Sequence, residues 1–423
     1  MRQYLGVDLT PLRVAREYRQ LYVAGLITAV GSQATYVTIP YQLKVLTHSP
    51  LEVGALGLFE LVPLVVFGLY GGVLADRMDR RRLIITMELL LMIATTAVLV
   101  NALLAHPQVW VLYADAVVAA AVSSLQRPSI EALNQSFVPH DLQRAASTLA
   151  NVRYTTASII GPALGGLVAV GAGPGVVYGA NLVTFALSLR LLSSLTRQIA
   201  PTTVETSDAV ALRAGVRFLR SRPDIVGTYV IDLLAMTFAF PVAMLPFVAE
   251  RYHDSYALSL LYSALPAGAL IFTLLSRWTS HVHHYGRAVI ASAAAWGLGI
   301  ALFGAGSSLW LVMLGLVIAG GADSLSGIFR STMWNESITP DMRGRMAGME
   351  MISYSLGPTA GQFRAGVMDA WTTLRFSLTF GGLACTGSVG LVGAALPSLW
   401  RFDARSDPHV AAVRARRALE EGS

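Results

Sequence analysis

The chain has little charge and almost no cysteine. Asp, Glu, Lys and Arg make up 13% of its 423 residues, about half the share of a soluble domain. Cys385 is alone, so no disulfide framework forms within the chain. No phosphate-cradling glycine loop and no nucleophile–base pattern appears, which argues against an enzyme and against ATP hydrolysis. No cofactor is expected. A sizeable soluble block is also missing: the one large polar break is 196–222, and only 26 residues follow Pro397. No cleavable leader is expected, because the first nineteen residues carry Arg2, Arg13, Arg16 and Arg19 and run into an apolar stretch long enough to span.

What fills the chain instead is apolar sequence, 54% of residues with a mean hydropathy of +0.57. A span needs about 20 mostly apolar residues to cross roughly 30 Å of hydrocarbon. Twelve segments meet that rule: 20–45, 52–75, 83–104, 109–135, 145–170, 175–195, 225–249, 257–276, 287–305, 309–335, 346–368 and 375–397. An all-α integral membrane protein is expected, with the lipid bilayer as its surroundings. The 38 Gly and 18 Pro are compatible, since membrane helices tolerate both.

The net charge of +6 has a topological origin. Of the 31 Lys and Arg, 24 fall in 1–19, 76–82, 137–144, 190–222, 277–287, 341–345 and 398–423, all on one side of a twelve-span layout. Only Arg251 and Arg375 fall in connections on the other side. The positive-inside bias therefore predicts a cell-membrane protein with both termini and the central loop in the cytoplasm. No nucleic-acid partner is expected.

The polar break splits the spans six and six, giving a first half 1–195, a central loop 196–222 and a second half 223–423 that ends in a short cytoplasmic tail. Within the loop, Ala209, Leu212, Val216 and Leu219 share a helical face opposite Arg213, Arg217 and Arg220, an amphipathic pattern. The halves repeat. "NQSFVPHDLQR" at 134–144 matches "NESITPDMRGR" at 335–345, "GPALGG" at 161–166 matches "GPTAGQ" at 357–362, and "ELVP" at 60–63 faces "SALP" at 263–266. Three collinear matches imply two six-helix, pseudo-symmetric halves.

Behind the second span stands "GGVLADRMDRRRL" at 71–83, with Gly72, Asp76, Arg77, Arg80 and Arg81. This spacing resembles the loop signature of the major facilitator superfamily, with Asp79 where that signature often has Gly. The resemblance implies a gating loop in which Asp76 accepts hydrogen bonds at another helix's N-terminus, holding the cytoplasmic side shut. A plain positive-inside anchor would explain the arginines but not the Gly–Asp spacing. The matching place in the second half, "LLSRWTSHVHHYGRA" at 274–288, puts Thr279 opposite Asp76 and lacks the motif. Its His281, His283 and His284 have no nearby Cys or carboxylate, so no metal site is expected.

Ionisable side chains inside spans cost roughly 2.5–3.5 kcal/mol on insertion scales and mark functional positions. Asp323 lies near the middle of the tenth span, and Arg330, seven residues on, shares its face with Ser326 and Gly327 between them. Arg330 is expected to partner Asp323. Span four carries Ser124, Arg127, Glu131 and Asn134, and Arg127 is placed to pair with Glu131 four residues on. Glu60 is the expected proton site in the first half, and Asp232 is a further coupling residue. Asp115 and Arg364 stand nearer the outer ends, where snorkelling to water would be the cheaper explanation. Both stripes have a bland reading in which neighbours neutralise the charges.

"GPALGG", with Gly161, Pro162, Gly165 and Gly166, resembles the Gly-Pro element of the superfamily's drug antiporters, although small-residue packing alone would also produce it. Further stretches similar to the superfamily's efflux proteins are "LTHSPLEVG" at 46–54, "GVRFL" at 215–219 and "TPDMRGRMAG" at 339–348. The resemblance implies a monomeric secondary transporter exporting a small amphipathic molecule, such as a siderophore, metabolite or drug, in exchange for protons. The alternatives are a proton-coupled nutrient importer of the same fold and a non-transporting membrane sensor.

The topology has a direct check. Cysteine placed at Ala172 or Ser307 should react with an impermeant maleimide from outside, and cysteine at Ser207 only after permeabilisation. Labelling of position 207 in intact cells would overturn it.

Overall fold

In the computed structural model the described backbone covers 8–77, 79–196, 217–338 and 340–421; side chains are described there except at 69–77, 128, 135, 340–354 and 416–421. The described residues form helices, with no strand among them. In chain order they are α1 (Thr10–Val14), α2 (Arg16–Thr47), α3 (Pro50–Arg77), α4 (Arg80–Leu103), α5 (Val109–Ser136), α6 (Gln143–Gly171), α7 (Pro174–Leu192), α8 (Pro223–Ala239) and α9 (Leu245–Glu250). They continue with α10 (Ala257–Leu274), α11 (Tyr285–Ala305), α12 (Leu309–Ser337), α13 (Pro340–Trp371), α14 (Leu374–Ala395), α15 (Pro397–Trp400) and α16 (Pro408–Glu421).

Among the described residues, ten stretches are long and apolar enough to cross a membrane. The first and eleventh expected spans are present as α2 and α13, each of 32 residues, but carry more polar side chains along their length. The seventh expected span is not one helix. After α8 the chain breaks at Phe240 and Pro241, turns through Val242–Met244, and resumes as α9. Pro241 has no N–H to donate and its ring disfavours helical geometry in the residue before it, so the break falls where the sequence demands it.

Helix ends follow local chemistry. Asp79 caps α4 by accepting from the backbone N–H groups of Arg81 and Arg82 at 3.0 and 3.3 Å. Between α6 and α7, Gly173 takes φ +94°, and it and Ala172 donate to Val168 O at 3.1 and 2.8 Å before Pro174 opens the next helix. Arg81 donates to Leu192 O at 3.3 Å and to Ser193 O, a cation on the carbonyl end of α7.

The chain divides into two compact units. The first comprises Met1–Thr203 with Leu245–Ser263. In it α2 packs against α6 and α7, α3 against α5, and α4 against α5 and α7. Lys44 of α2 pairs with Glu250 of α9 at 2.7 Å, and Ser263 donates to Ile159 O at 3.2 Å, tying Leu245–Ser263 into this unit. The second comprises Val204–Met244 with Ala264–Ser423; there α11 packs on α12 and α14, and α8 on α13 and α14.

The chain's end is packed rather than trailing. Asp407 caps α16 through His409 and Val410 N–H at 2.9 and 3.0 Å, while Val410 and Val413 are buried. His409 reaches Ser337 O at 3.0 Å, and Arg414 pairs with Glu336 at 3.0 Å, both at the end of α12. Arg222, just before α8, is buried and donates to both Asp224 oxygens at 3.0 and 2.6 Å, with Asp407 3.7 Å away. Burial opposes its charge, but Asp224 and Asp407 outweigh that and hold Arg222 above the usual arginine range.

The Gly-Pro element makes the α2–α6 crossing. A Cβ added at Gly165 would lie 2.6 Å from Ala34 Cα, and one at Gly161 would lie 2.8 Å from Val30 O. Gly166 meets Ser259 at 2.8 Å in the same sense. Gly165→Ala should therefore lower the unfolding midpoint of the purified protein, at a cost of about 1–3 kcal/mol of overpacking. Gly179→Ala, with nothing within 4 Å of the added atom, should leave the midpoint unchanged or raise it. Equal midpoints for both variants would sink the close-crossing account.

Candidate functional site

In the second unit, α8 and α12 bring one polar cluster together inside their spans. Arg330 forms an ion pair with Asp232; the Asp232 side chain is buried and that of Arg330 nearly so. The guanidinium also lies 5.9 Å from the Trp334 ring centroid. Trp334 stacks on Tyr229 at 4.7 Å and donates its indole N–H to Thr228 Oγ1 at 2.9 Å. The helical period explains the arrangement: Thr228 and Asp232 share one face of α8, as Arg330 and Trp334 share one face of α12, so rings and charges meet in register.

This corrects the expected partner of Arg330. The residue in contact is Asp232 of α8, not Asp323 of its own helix. Seven residues along a helix is about 10 Å, beyond direct pairing, while the neighbouring helix presents a carboxylate at contact distance. Asp323 is half-buried and stays within electrostatic reach of both Arg330 and Asp232. Ser326, between them in sequence, is buried.

The expected residues of the first unit do not form one cluster. Glu60 on α3 is half-buried, without a hydrogen-bond or ion-pair partner among the described residues, and lies within electrostatic reach of Tyr36 of α2. Arg127 pairs with Glu131 at 3.2 Å, both more than half exposed in the structure. Gly72, Asp76 and Arg77 lie outside the residues whose side chains are described. Of the remaining gating-loop positions, Arg81 holds the end of α7 as above, and Arg80 is half-buried. Among the described residues no group of three or more His, Cys, Asp or Glu is placed to hold a metal ion.

One polar feature escaped the sequence reading, and a second departs from what it expected. Glu88 of α4 is only 3% exposed, and accepts from Thr28 at 2.7 Å and Gln126 at 3.3 Å, joining α2, α4 and α5. Its signal was a lone acid within "TMELLL" at 86–91, close enough to a helix start to pass as interfacial. Asp115 is the second: it is 6% exposed instead of reaching water. Neighbouring Tyr178 gives its hydroxyl to Gln42 at 2.7 Å rather than to that carboxylate. Near the other end of the chain, Arg364 reaches Ser377 O and Met368 sulfur, each at 3.4 Å.

The clasp between Asp232 and Arg330 has a double-mutant test. Removing one partner of a buried pair costs about 3–5 kcal/mol, so Asp232→Ala and Arg330→Ala should each lower the unfolding midpoint strongly. The double variant should be little worse than either. The cycle of Arg330→Ala with Asp323→Ala should show the smaller coupling; the reverse ranking would restore Asp323 as the partner.

Comparison with known proteins places the chain. A family model described as a transmembrane secretion effector matches residues 7–415. An enterobactin exporter, EntS, of Salmonella typhi is 28% identical over 386 residues, covering 90% of this chain and 92% of that protein. The protein of the same name from Escherichia coli O81 (strain ED1a) is 28% identical over 372 residues, 87% of this chain and 88% of that one. Among solved structures, a D-xylose–proton symporter superposes with TM-score 0.72 at 14% identity, covering 93% of this chain and 98% of that chain. The nucleoside transporter NupG gives 0.68 at 15% identity, with 92% and 100% covered.

Proposed function

The chain belongs to the transmembrane secretion effector family of major facilitator transporters, and from that premise we propose that it exports a small amphipathic organic molecule by proton antiport. The family transports small molecules rather than transforming them, so the chain is a multi-pass membrane transporter and not an enzyme. Direction is supported by the relatives, whose names give enterobactin export. A siderophore of that chemistry is the first substrate to try.

The observation that carries the coupling is the α8–α12 cluster. A buried ion pair near a third, separate carboxylate responds to that carboxylate's charge: when Asp323 releases its proton it attracts Arg330 and repels Asp232 across the cluster without itself closing on Arg330. That charge would loosen the clasp between Asp232 and Arg330, and with it the contact of α12 with α8. Glu60, without an ion-pair partner among the described residues and within a span of the first unit, is the proton carrier we assign to that half. In this reading Arg127 lines the substrate path. The Gly161, Pro162, Gly165 and Gly166 element gives α6 the stiffness an alternating-access helix needs. Gly72, Asp76, Arg77, Arg80 and Arg81 form the cytoplasmic clasp.

The proposed layout puts both termini and 196–222 in the cytoplasm, with the halves 1–195 and 223–423 rocking as a monomer in the cell membrane. The excess of arginine on that side supports it.

The experiment is enterobactin uptake into inverted vesicles, whose lumen stands for the outside. Acidifying the lumen should drive accumulation in wild type. Glu60→Gln and Asp323→Asn should abolish it while exchange without a gradient survives. Asp76→Asn should speed that exchange by loosening the clasp. Accumulation only in right-side-out vesicles would favour the importer. Gradient-driven uptake by both amide variants would move the coupling elsewhere.

A further inference from the structure

Five basic side chains stand within the spans, and four have an oxygen partner. Lys44 has Glu250, Arg127 has Glu131, Arg330 has Asp232, and Arg364 has the Ser377 carbonyl. Arg153 of α6 has neither a carboxylate nor a carbonyl among the described residues. What it has is aromatic: its guanidinium lies 5.8 Å from the Tyr22 ring, which stands 6.3 Å from the ring of Tyr18. Its seat is cut into α2 by a missing side chain, since a Cβ at Gly25 would lie 2.6 Å from Arg153 Nη1.

The position suits a ligand. Arg153 is ten residues into α6, roughly 15 Å along the helix from its start, and it is half-buried. A ring face attracts the cation but leaves the guanidinium's N–H donors unused. A planar fork of donors on an aromatic rest is the geometry that receives an oxyanion.

We infer that the transported molecule carries an oxyanion beside an apolar body, and that Arg153 receives it with Tyr22 against the apolar part. This rests on the reading of the chain as a small-molecule transporter. It does not depend on the direction of transport or on the coupling.

The test uses purified full-length protein in phosphatidylcholine nanodiscs and three ring-matched probes: 2-naphthoate, 2-naphthamide and 2-naphthylmethylamine. Wild type should bind the carboxylate about tenfold or more tighter than the amide, the scale of one charge-assisted hydrogen-bonded pair, and should not favour the amine. Arg153→Gln should bring carboxylate and amide to within about twofold, the preference falling with that pair. Arg153→Lys should keep part of it. Gly25→Ala, which displaces the guanidinium without removing its charge, should lower the preference and covers the case in which Arg153→Gln does not fold. Equal or absent binding of carboxylate and amide by wild type would overturn the inference. So would a preference that survives both Arg153→Gln and Gly25→Ala, or one abolished by adding phosphatidylglycerol, which would assign Arg153 to a lipid phosphate. A chain that prefers the carboxylate yet moves substrate inward would fail only the export reading. One that exports under a proton gradient with no anion preference would fail only this one.

Discussion

A charge inside hydrocarbon needs a counter-charge or a task, and that constraint organises this molecule. Each ionised side chain placed there costs roughly 2.5–3.5 kcal/mol on insertion scales, and a cation–π contact returns only about 0.5–2 kcal/mol. The ion pair of Asp232 and Arg330 satisfies the constraint within one unit, and its position decides how α8 and α12 register. The rings of Tyr229 and Trp334 stack one turn away on the same two faces, so charge and packing specify the same register.

Small residues serve the same end by a different route. Between membrane helices there is no hydrophobic driving force, because lipid tails are as apolar as leucine, so close backbone approach must supply the attraction. Gly161 and Gly165 let α6 reach α2 at Val30–Ala34. The packing explanation of the Gly-Pro element is therefore sufficient by itself for those two positions. Its link to export rests on the relatives, not on the crossing. Gly25 is different: what fills its space is the end of a charged side chain and not another helix backbone.

Much of the architecture was legible in the sequence because it is written in local patterns. Apolar length marks spans, and Pro174 and Pro223 mark helix starts. Pairing was less legible, because it depends on which residues of different helices fall at the same depth. Asp323 and Arg330 look like partners on one helical face, yet the contact belongs to Asp232, nearly a hundred residues earlier in the chain. Glu88 was missed for a related reason: Thr28 and Gln126 hold it from two other helices, and no feature of its own segment announces them. The break at Pro241 was readable from proline chemistry alone, but a run hydrophobic on both sides of it reads as one span.

The two units share a repeat pattern but hold their charges differently. In the second, an acid and a base are already closed on each other, with Asp323 as a third party. In the first, Lys44 and Arg127 are paired with Glu250 and Glu131, but among the described residues Glu60, Asp115 and Arg153 have no ion-pair partner. A closed pair near a third carboxylate is suited to switching, since one proton on that carboxylate changes the field across the pair. Opposite charges kept apart are suited to receiving something from outside the protein, a proton at the acids and an anion at the base. Where the repeated stretches "ELVP" and "SALP" align, Glu60 stands against Ser263, so the proton site proposed for the first unit falls at a position where the halves differ.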